Sequence, residues 1–285
     1  MSSPHDRGSV PPRPKRTARI FALAVFALGS IAVQGCAELH EVATALRETS
    51  DFAPTSDPRV FAEPGNETLT AATAAAVPGA IRRVEDALGG PFTIPVRIYV
   101  CATIDSYKRF TNSERSGGNT TIAKKIFISP KPENTPQRIP AVVTHELTHL
   151  HVAQRLGLWR TRGLPSWFSE GLAAFVSGGG GAEGVTEADA AREIRAGHLL
   201  TPGYSRNQTA SSFGLPAHLF YRQAAMFIGY LKNRDASAFR HFMTSVEEGT
   251  AFQRSFEDAY RADVGTAWGA FVAQLNDPRV PPVGQ

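Results

Sequence analysis

The sequence predicts an α+β fold, with strands in the first half of the chain and helices after them. Short apolar runs rich in β-branched residues occur before residue 130, whereas apolar residues at helical spacing dominate from residue 139 onward. Hydrophobic residues make up 42% of the 285 residues. That share is enough for a packed core and excludes global disorder.

The first 35 residues predict an export signal that is removed from the folded protein. Ile20–Val33 carries no charge and follows a basic, proline-rich stretch. This run is too short for a permanent transmembrane helix, which needs about 20 apolar residues. The next residues, Val33-Gln-Gly-Cys36, resemble a bacterial lipobox, which implies that Cys36 becomes a lipidated N-terminus on a membrane surface. Ordinary cleavage nearby, which leaves Cys36 free or removes it, is the alternative.

The charge balance excludes a nucleic-acid partner. The formal net charge is +4, but residues 1–35 hold five basic residues and one acidic residue, which leaves 25 of each in the remaining chain. The mature protein therefore has no surplus of positive charge. Two cysteines also exclude a disulfide framework. Cys101 follows an apolar run and is expected to be a small buried thiol.

Residues 36–65 predict a linker or N-terminal extension ahead of a folded domain at 66–285. Ala37–Arg47 is compatible with a short helix, and Pro54–Pro58 is rich in turn-forming residues. Helical spacing and β-branched alternation then predict a helix interrupted by Pro78, a strand, a short helix and a second strand. These elements are Thr68–Leu88, Ile94–Val100, Asp105–Thr111 and Thr121–Ser129.

A long helix is predicted from Ile139 to Leu156. Pro140 fits its first turn, where a missing N–H costs little, and Gly157 is a typical stop. Ser166–Val176 predicts the next helix, and the glycine run Ser177–Gly181 predicts a flexible segment or a tight loop. Further helices are expected near 187–196, 217–232, 236–248, 252–260 and 266–275.

The long helix contains the motif His145-Glu-Leu-Thr-His149. Histidines four residues apart lie on one face of a helix, so both imidazoles can reach one zinc ion. Glu146 is offset by about 100° around the helix, which places it beside a water on that ion rather than on the ion itself. The alternative is a pair of ordinary helix histidines.

A second carboxylate, Glu170, follows about twenty residues later in Leu164–Phe175, surrounded by apolar and small residues. Such a carboxylate is costly to bury unless it is paired or bound to a metal. Two histidines and one carboxylate leave a fourth zinc position open, as a catalytic site requires. The alternative is a first-turn acid that the helix dipole favours.

The two motifs together resemble those of the gluzincin metallopeptidases, in particular the peptidase-MA-like domains of bacterial secreted proteins and lipoproteins. The resemblance covers roughly residues 82–275 and is strongest in Val143–Phe175. It implies a zincin-like fold, with a small sheet ahead of the active-site helix and a helical lobe behind it. It also implies one Zn²⁺ bound by His145, His149 and Glu170, with Glu146 as the general base.

The resemblance further implies a peptide or protein substrate, with the strand Ile122–Ser129 at the edge of the sheet beside the cleft. Two positions depart from the family. Ala174 stands where thermolysin-like enzymes carry an Asp that orients a zinc histidine, so that partner must come from elsewhere. Aminopeptidases bind the free amine of the substrate with a Glu on a strand of this region, but this chain has no Glu between Glu114 and Glu133. The resemblance therefore does not favour an aminopeptidase over an endopeptidase.

Tyr221 is the candidate donor for the oxyanion, with His218, one turn away on the same helix, as the alternate. A tyrosine that merely packs the helical lobe is the alternative interpretation. His151 lies two residues past His149 and is expected to be exposed.

The sequence therefore favours a zinc-dependent metallopeptidase at the bacterial cell envelope. Two alternatives stay open: a zinc-bearing envelope lipoprotein that binds or assembles without turnover, and a lipid-anchored structural domain with an accidental motif.

Overall fold

The computed structural model describes residues 47–114, 116–131 and 135–277. Cys36 and the predicted export signal lie outside these ranges, so lipidation and export stay predictions. Among the helices of the described ranges, none combines the length and apolar character that crossing a bilayer demands.

A mixed sheet of five short strands lies in the first half of the chain. The strands are β1 (Ala53–Pro54), β2 (Val60–Ala62), β3 (Ile98–Val100), β4 (Gly118–Thr120) and β5 (Ile126–Ile128). Their order is β1-β2-β3-β5-β4, with β2, β3 and β5 parallel and the two outer strands antiparallel to their neighbours. β4 is therefore one edge of the sheet.

Helices account for most of the remaining described residues. They are α1 (Glu67–Leu88), α2 (Ile104–Thr111), α3 (Ile139–Leu156), α4 (Leu158–Gly163), α5 (Ser166–Ser177), α6 (Glu187–Arg195), α7 (Ala217–Arg234), α8 (Ala236–Glu247), α9 (Phe252–Tyr260) and α10 (Val264–Asn276). The predicted α+β class, with strands early and helices late, is confirmed. α3 has the bounds that the sequence predicted.

The two faces of the sheet belong to different parts of the core. In β3, Ile98 and Val100 point into the main core with the helices, whereas Tyr99 points to the opposite face, as the period of two requires. On that opposite face the ring of Phe127 stacks on Tyr99 and on Phe110 of α2, with centroids 5.1 and 4.9 Å apart. The sheet is thus buried on both sides despite its short strands.

Part of the predicted linker belongs to the sheet, because β1 and β2 lie within residues 36–65. Strands of two and three residues are too short for an alternating pattern, so the turn-forming residues around them dominated the prediction. Pro78 does not interrupt α1, which continues from Glu67 to Leu88. The Asn66 side chain caps this helix by accepting a hydrogen bond from the Leu69 N–H.

The prediction of a single strand at Thr121–Ser129 is also wrong. The chain forms β4 before this range and β5 within it, and a turn at residues 121–125 joins them. In that turn Lys124 adopts a left-handed φ of 59° and its N–H donates to the Thr121 carbonyl. The edge strand beside α3 is consequently β4, and β5 lies inside the sheet.

Candidate metal centre

Two helices bring the three predicted ligands together. α3 carries His145 and His149 one turn apart on one face, and α5 packs against α3 with Glu170 in its second turn. α5 begins at Ser166, directly after Pro165, whose fixed φ suits a helix start. The structure therefore unites residues that are far apart in the chain.

The three ligand atoms lie close enough to share one cation. The Nε2 atoms of His145 and His149 are 3.1 Å apart, and Glu170 Oε2 lies 3.3 and 3.6 Å from them. The group as a whole fits within 4.8 Å. Exposure of the side chains rises from 8% for His145 to 20% for His149 and 26% for Glu170, so the group opens to solvent on one side.

Each imidazole has a partner on its other nitrogen. The Nδ1 of His145 lies 2.8 Å from the Gly180 carbonyl oxygen, which can only accept, so Nδ1 carries a proton. The lone pair of the neutral ring is then on Nε2, the atom that faces Glu170. The Nδ1 of His149 lies 3.4 Å from the Ser169 hydroxyl. Such outer partners fix the tautomer and orientation of metal-binding histidines.

Mutual electrostatics hold the metal-free group together. Burial disfavours protonation of His145, but the hydrogen bond and charge of Glu170, with the charge of Glu146, raise the pKa of His145 to about 9. Burial likewise disfavours ionisation of Glu170, yet the charge of His149 and the hydrogen bond from His145 lower the pKa of this carboxyl well below its usual range. A cation that displaced the protons from the imidazoles would take over the role of positive partner.

Glu146 lies outside the ligand group and faces the edge strand. Its side chain is buried, and the Thr120 hydroxyl lies 2.8 Å from Oε2. β4 approaches so closely that a methyl group on Gly118 would sit 2.7 Å from Glu146 Cγ. The 100° offset predicted from the helix thus separates Glu146 from the ligands, while its charge still reaches His145 and Tyr221.

Tyr221 of α7 lies against the group. Its ring stacks on His145 with centroids 6.2 Å apart. The charge of Glu170, burial, the charge of Glu146 and a hydrogen bond to Glu170 raise the pKa of Tyr221 well above its usual range. His218, the alternate donor, instead directs Nδ1 to the Gly181 carbonyl at 2.9 Å and is largely exposed.

The prediction that His151 is exposed is wrong. Its side chain is buried, its Nε2 lies 3.0 Å from the Gly90 carbonyl oxygen, and Phe92 meets the ring edge-on. Burial lowers the pKa of His151, so it is a neutral packing residue on the side of α3 that faces the end of α1. Cys101 is buried, as predicted.

Sequence reasoning missed two contributors, Thr120 and the Gly180 carbonyl. No local pattern marks Thr120, because its contact crosses from β4 to α3. Gly180 sits in a glycine run that the sequence does display, yet a run of glycines alone does not say which carbonyl turns inward.

The donor set fits a transition-metal cation. Two imidazole nitrogens and one carboxylate, presented from two rigid helices with one open side, can hold such an ion. The chain matches no model of a known protein family and no curated protein.

Proposed function

We propose that this protein is a zinc-dependent metallopeptidase of the gluzincin type, with a zincin-like arrangement of sheet and helices. The observation that carries the proposal is the grouping of His145, His149 and Glu170 within 4.8 Å, with Glu146 set apart beside the edge strand. Structural zinc sites have four protein ligands, whereas three ligands and an open side are typical of catalytic ones.

Zinc suits this donor set, and when bound it would supply Lewis-acid polarisation of a substrate carbonyl and a lowered pKa for water. The chain's own residues supply the proton transfers. Glu146 accepts a proton from the attacking water and delivers it to the leaving nitrogen of the peptide bond. Its buried position between α3 and β4 supports this role, since bulk water does not compete for the carboxylate.

Tyr221 is the proposed donor to the oxyanion that develops on the substrate carbonyl. Its ring lies over His145, and the charges of Glu170 and Glu146 act on its hydroxyl. A single donor of this kind contributes about 3–4 kcal/mol of transition-state stabilisation in hydrolases. Tyr221 also packs the helical lobe, and the two roles are compatible.

The proposed substrate is an extended peptide or a segment of a protein. β4 is an edge strand next to Glu146, and an edge strand offers backbone groups to an extended chain. The predicted lipid anchor at Cys36 would confine the activity to the surface of a bacterial membrane, and the substrate to proteins of the envelope.

Metal analysis and peptide cleavage together test this proposal. The purified protein should hold about one zinc per chain and cleave a peptide library. Glu146→Gln should keep the zinc and lose cleavage, whereas Glu170→Gln should lose both. His198→Gln removes an imidazole that pairs with Glu193 outside the site, and serves as the matched control with unchanged zinc and activity.

Two outcomes would contradict the proposal in different ways. Cleavage that survives Glu146→Gln would remove its assigned role. Stoichiometric zinc without cleavage of any peptide would favour the alternative, a catalytically inactive zinc-binding envelope lipoprotein that acts in binding or assembly.

A further inference from the structure

We propose that the turn Ser177–Gly181 is the positioning element of the metal centre, and that it fixes the His145 imidazole through the Gly180 carbonyl. The inference rests on the proposed metal site but not on turnover. Ala174 stands where thermolysin-like enzymes carry an Asp that orients a zinc histidine, so the sequence left the orienting partner of that histidine open. The inference identifies this partner as the Gly180 carbonyl.

The turn is built from the end of α5, the helix that carries Glu170. Gly178 leaves the helix with a left-handed φ of 73°, and the Gly179 N–H donates to the Ala174 carbonyl at 2.8 Å. The Gly180 N–H donates to the Ser177 hydroxyl, also at 2.8 Å. These bonds turn the Gly180 carbonyl toward His145. α5 thus carries Glu170, and the turn at its end contacts His145.

Two glycines are required here by the close approach of their neighbours. A Cβ on Gly180 would lie 2.6 Å from the Ala141 carbonyl oxygen of α3. Gly181 has a φ of 83°, and its Cβ would lie 2.8 Å from Tyr221 Cδ2 and 3.0 Å from His145 Cε1. The backbone is therefore inserted between α3 and the Tyr221 ring, where side chains do not fit.

Side chains from two other helices hold the chain on either side of the turn. Arg83 of α1 donates from Nε to the Val176 carbonyl, ahead of the turn. Arg222 of α7 donates from Nε to the Val185 carbonyl at 2.8 Å, beyond it. Because these anchors are long-range and charge-assisted, the turn is held in place rather than mobile.

Further contacts fasten the segment to the start of α3 and to α7. Glu183 forms an ion pair of 3.1 Å with Arg138, which directly precedes α3. The same carboxylate accepts the Gly181 N–H at 3.1 Å, and His218 donates to the Gly181 carbonyl. Both backbone groups of Gly181 therefore have partners other than His145. The carbonyl that lies against His145 is that of Gly180.

A carbonyl partner has a distinct chemical consequence. It holds the proton on Nδ1 and orients the ring, as a carboxylate would, but it adds no negative charge to the centre. Loss of such an outer partner typically weakens metal binding by about 10–100-fold. The turn should accordingly determine zinc affinity without contact between the turn and the ion.

The test compares Gly181→Ala and Ser177→Ala with Gly184→Ala. Gly184 has a similar φ of 80°, but its Cβ would meet nothing within 4 Å, so it reproduces the backbone strain without disturbing the site. Zinc affinity is measured by competition with a chelator. In parallel, the His145 Nδ1–H is observed by long-range ¹⁵N–¹H correlation on histidine-labelled protein, with and without Zn²⁺.

We expect an exchange-protected Nδ1–H on His145 in the unsubstituted protein, in both metal states. Gly181→Ala should bind zinc at least tenfold more weakly and lose that protection. Ser177→Ala should show a smaller loss in the same direction, and it provides the result if Gly181→Ala does not fold. Gly184→Ala should stay within about twofold of the unsubstituted protein.

Unchanged affinity and an unchanged Nδ1–H signal in Gly181→Ala and Ser177→Ala would overturn the inference, as would a His145 that carries its proton only on Nε2. A protein that binds zinc but cleaves no peptide would refute the proposed peptidase and leave this inference standing. A protein that binds no zinc would overturn both the proposed peptidase and this inference, because both rest on the metal site.

Discussion

The Thr120 hydroxyl lies 2.8 Å from the Glu146 carboxylate and 2.9 Å from the backbone carbonyl of the same residue. This contact joins the edge of the sheet to the helix that carries His145 and His149, two of the proposed metal ligands. It gives the buried carboxylate a hydrogen-bond donor, which an isolated charge in that position would need. The position of the proposed general base thus depends on β4 as well as on α3.

Thr120→Val is expected to lower kcat by about tenfold, equivalent to about 1.4 kcal/mol in the activation free energy. Removing the hydroxyl takes away the hydrogen bond that orients the Glu146 carboxylate, while His145, His149 and Glu170 keep their positions. Zinc content should therefore stay the same. The measurement is kcat and KM on a cleaved peptide, together with metal analysis.

Thr121→Val is the control for that substitution, because the Thr121 hydroxyl bonds to the Lys125 carbonyl in the adjoining turn and not to the site. It should retain kcat. If Thr120→Val and Thr121→Val behave alike, the contact to Glu146 has no part in the reaction.

Zinc removal is expected to lower the melting temperature by about 10 °C. Zinc that binds only to the folded state stabilises that state by about 4 kcal/mol when free zinc exceeds Kd a thousandfold. A stabilisation of about 1 kcal/mol raises the melting temperature by about 2–4 °C for a domain of this size. The measurement is calorimetry with zinc and with excess chelator. Glu170→Gln should melt at one temperature under both conditions, and a chelator-insensitive parent protein would argue against any resident metal.

The features that the sequence predicted correctly are marked by residues within the same short segment of the chain. α3 has Pro140 in its first turn, Gly157 after its last residue and His145 and His149 between them, so its bounds and the shared face of the two histidines followed from one short segment. Cys101 was correctly predicted as buried for the same reason, since it continues an apolar strand.

The elements that sequence reasoning missed depend on partners far along the chain. His151 is buried beside Phe92, and its Nε2–H donates a hydrogen bond to the carbonyl of Gly90, 61 residues away in the chain. β4 is a strand because β5 pairs with it, although Gly118 and Asn119 have low strand propensity. Tertiary contacts of this kind leave no periodic pattern in the local sequence.

Cys101 is expected to be unreactive in the folded protein. Burial and the nearby charge of Glu63 raise the pKa of its thiol to about 12, so at pH 8 only about one molecule in ten thousand is thiolate. A Cys36→Ser variant leaves Cys101 as the only cysteine of the chain. Its labelling by a thiol reagent should be slow in buffer and fast in denaturant. Rapid labelling under native conditions would show that the aromatic side of the sheet opens easily.

Asp57→Asn is expected to destabilise the protein slightly at neutral pH and less at pH 3. The side chain and backbone of Arg59 hydrogen-bond to Asp57 and lower the pKa of this carboxyl. A lowered folded-state pKa contributes stability above the unfolded value near 3.8, and that stability is lost as the pH falls through the folded value.

Because Arg59 is about one-third exposed, the charge effect should stay below about 1 kcal/mol. Urea unfolding of both proteins at pH 7 and pH 3 measures it. A difference of the same size at pH 3 and at pH 7 would assign the effect to packing of the β1–β2 turn and not to charge.

Gly171→Ala is expected to lower the free energy of unfolding by about 1–3 kcal/mol and to weaken zinc binding. A Cβ on Gly171 would lie 2.9 Å from backbone and side-chain atoms of Ala224, so α5 could accept it only by moving away from α7. Glu170 is the preceding residue and would move with the helix. Urea unfolding and chelator competition measure the two effects.

Gly269→Ala is the matched control, since Gly269 also lies inside a helix, yet a Cβ there would meet nothing within 4 Å. Alanine has the higher helix propensity, so this substitution should be neutral or stabilising by up to about 1 kcal/mol. Equal stability of the two variants would mean that α5 and α7 tolerate separation. In that case the glycine after Glu170 could not be explained by the close packing of these two helices.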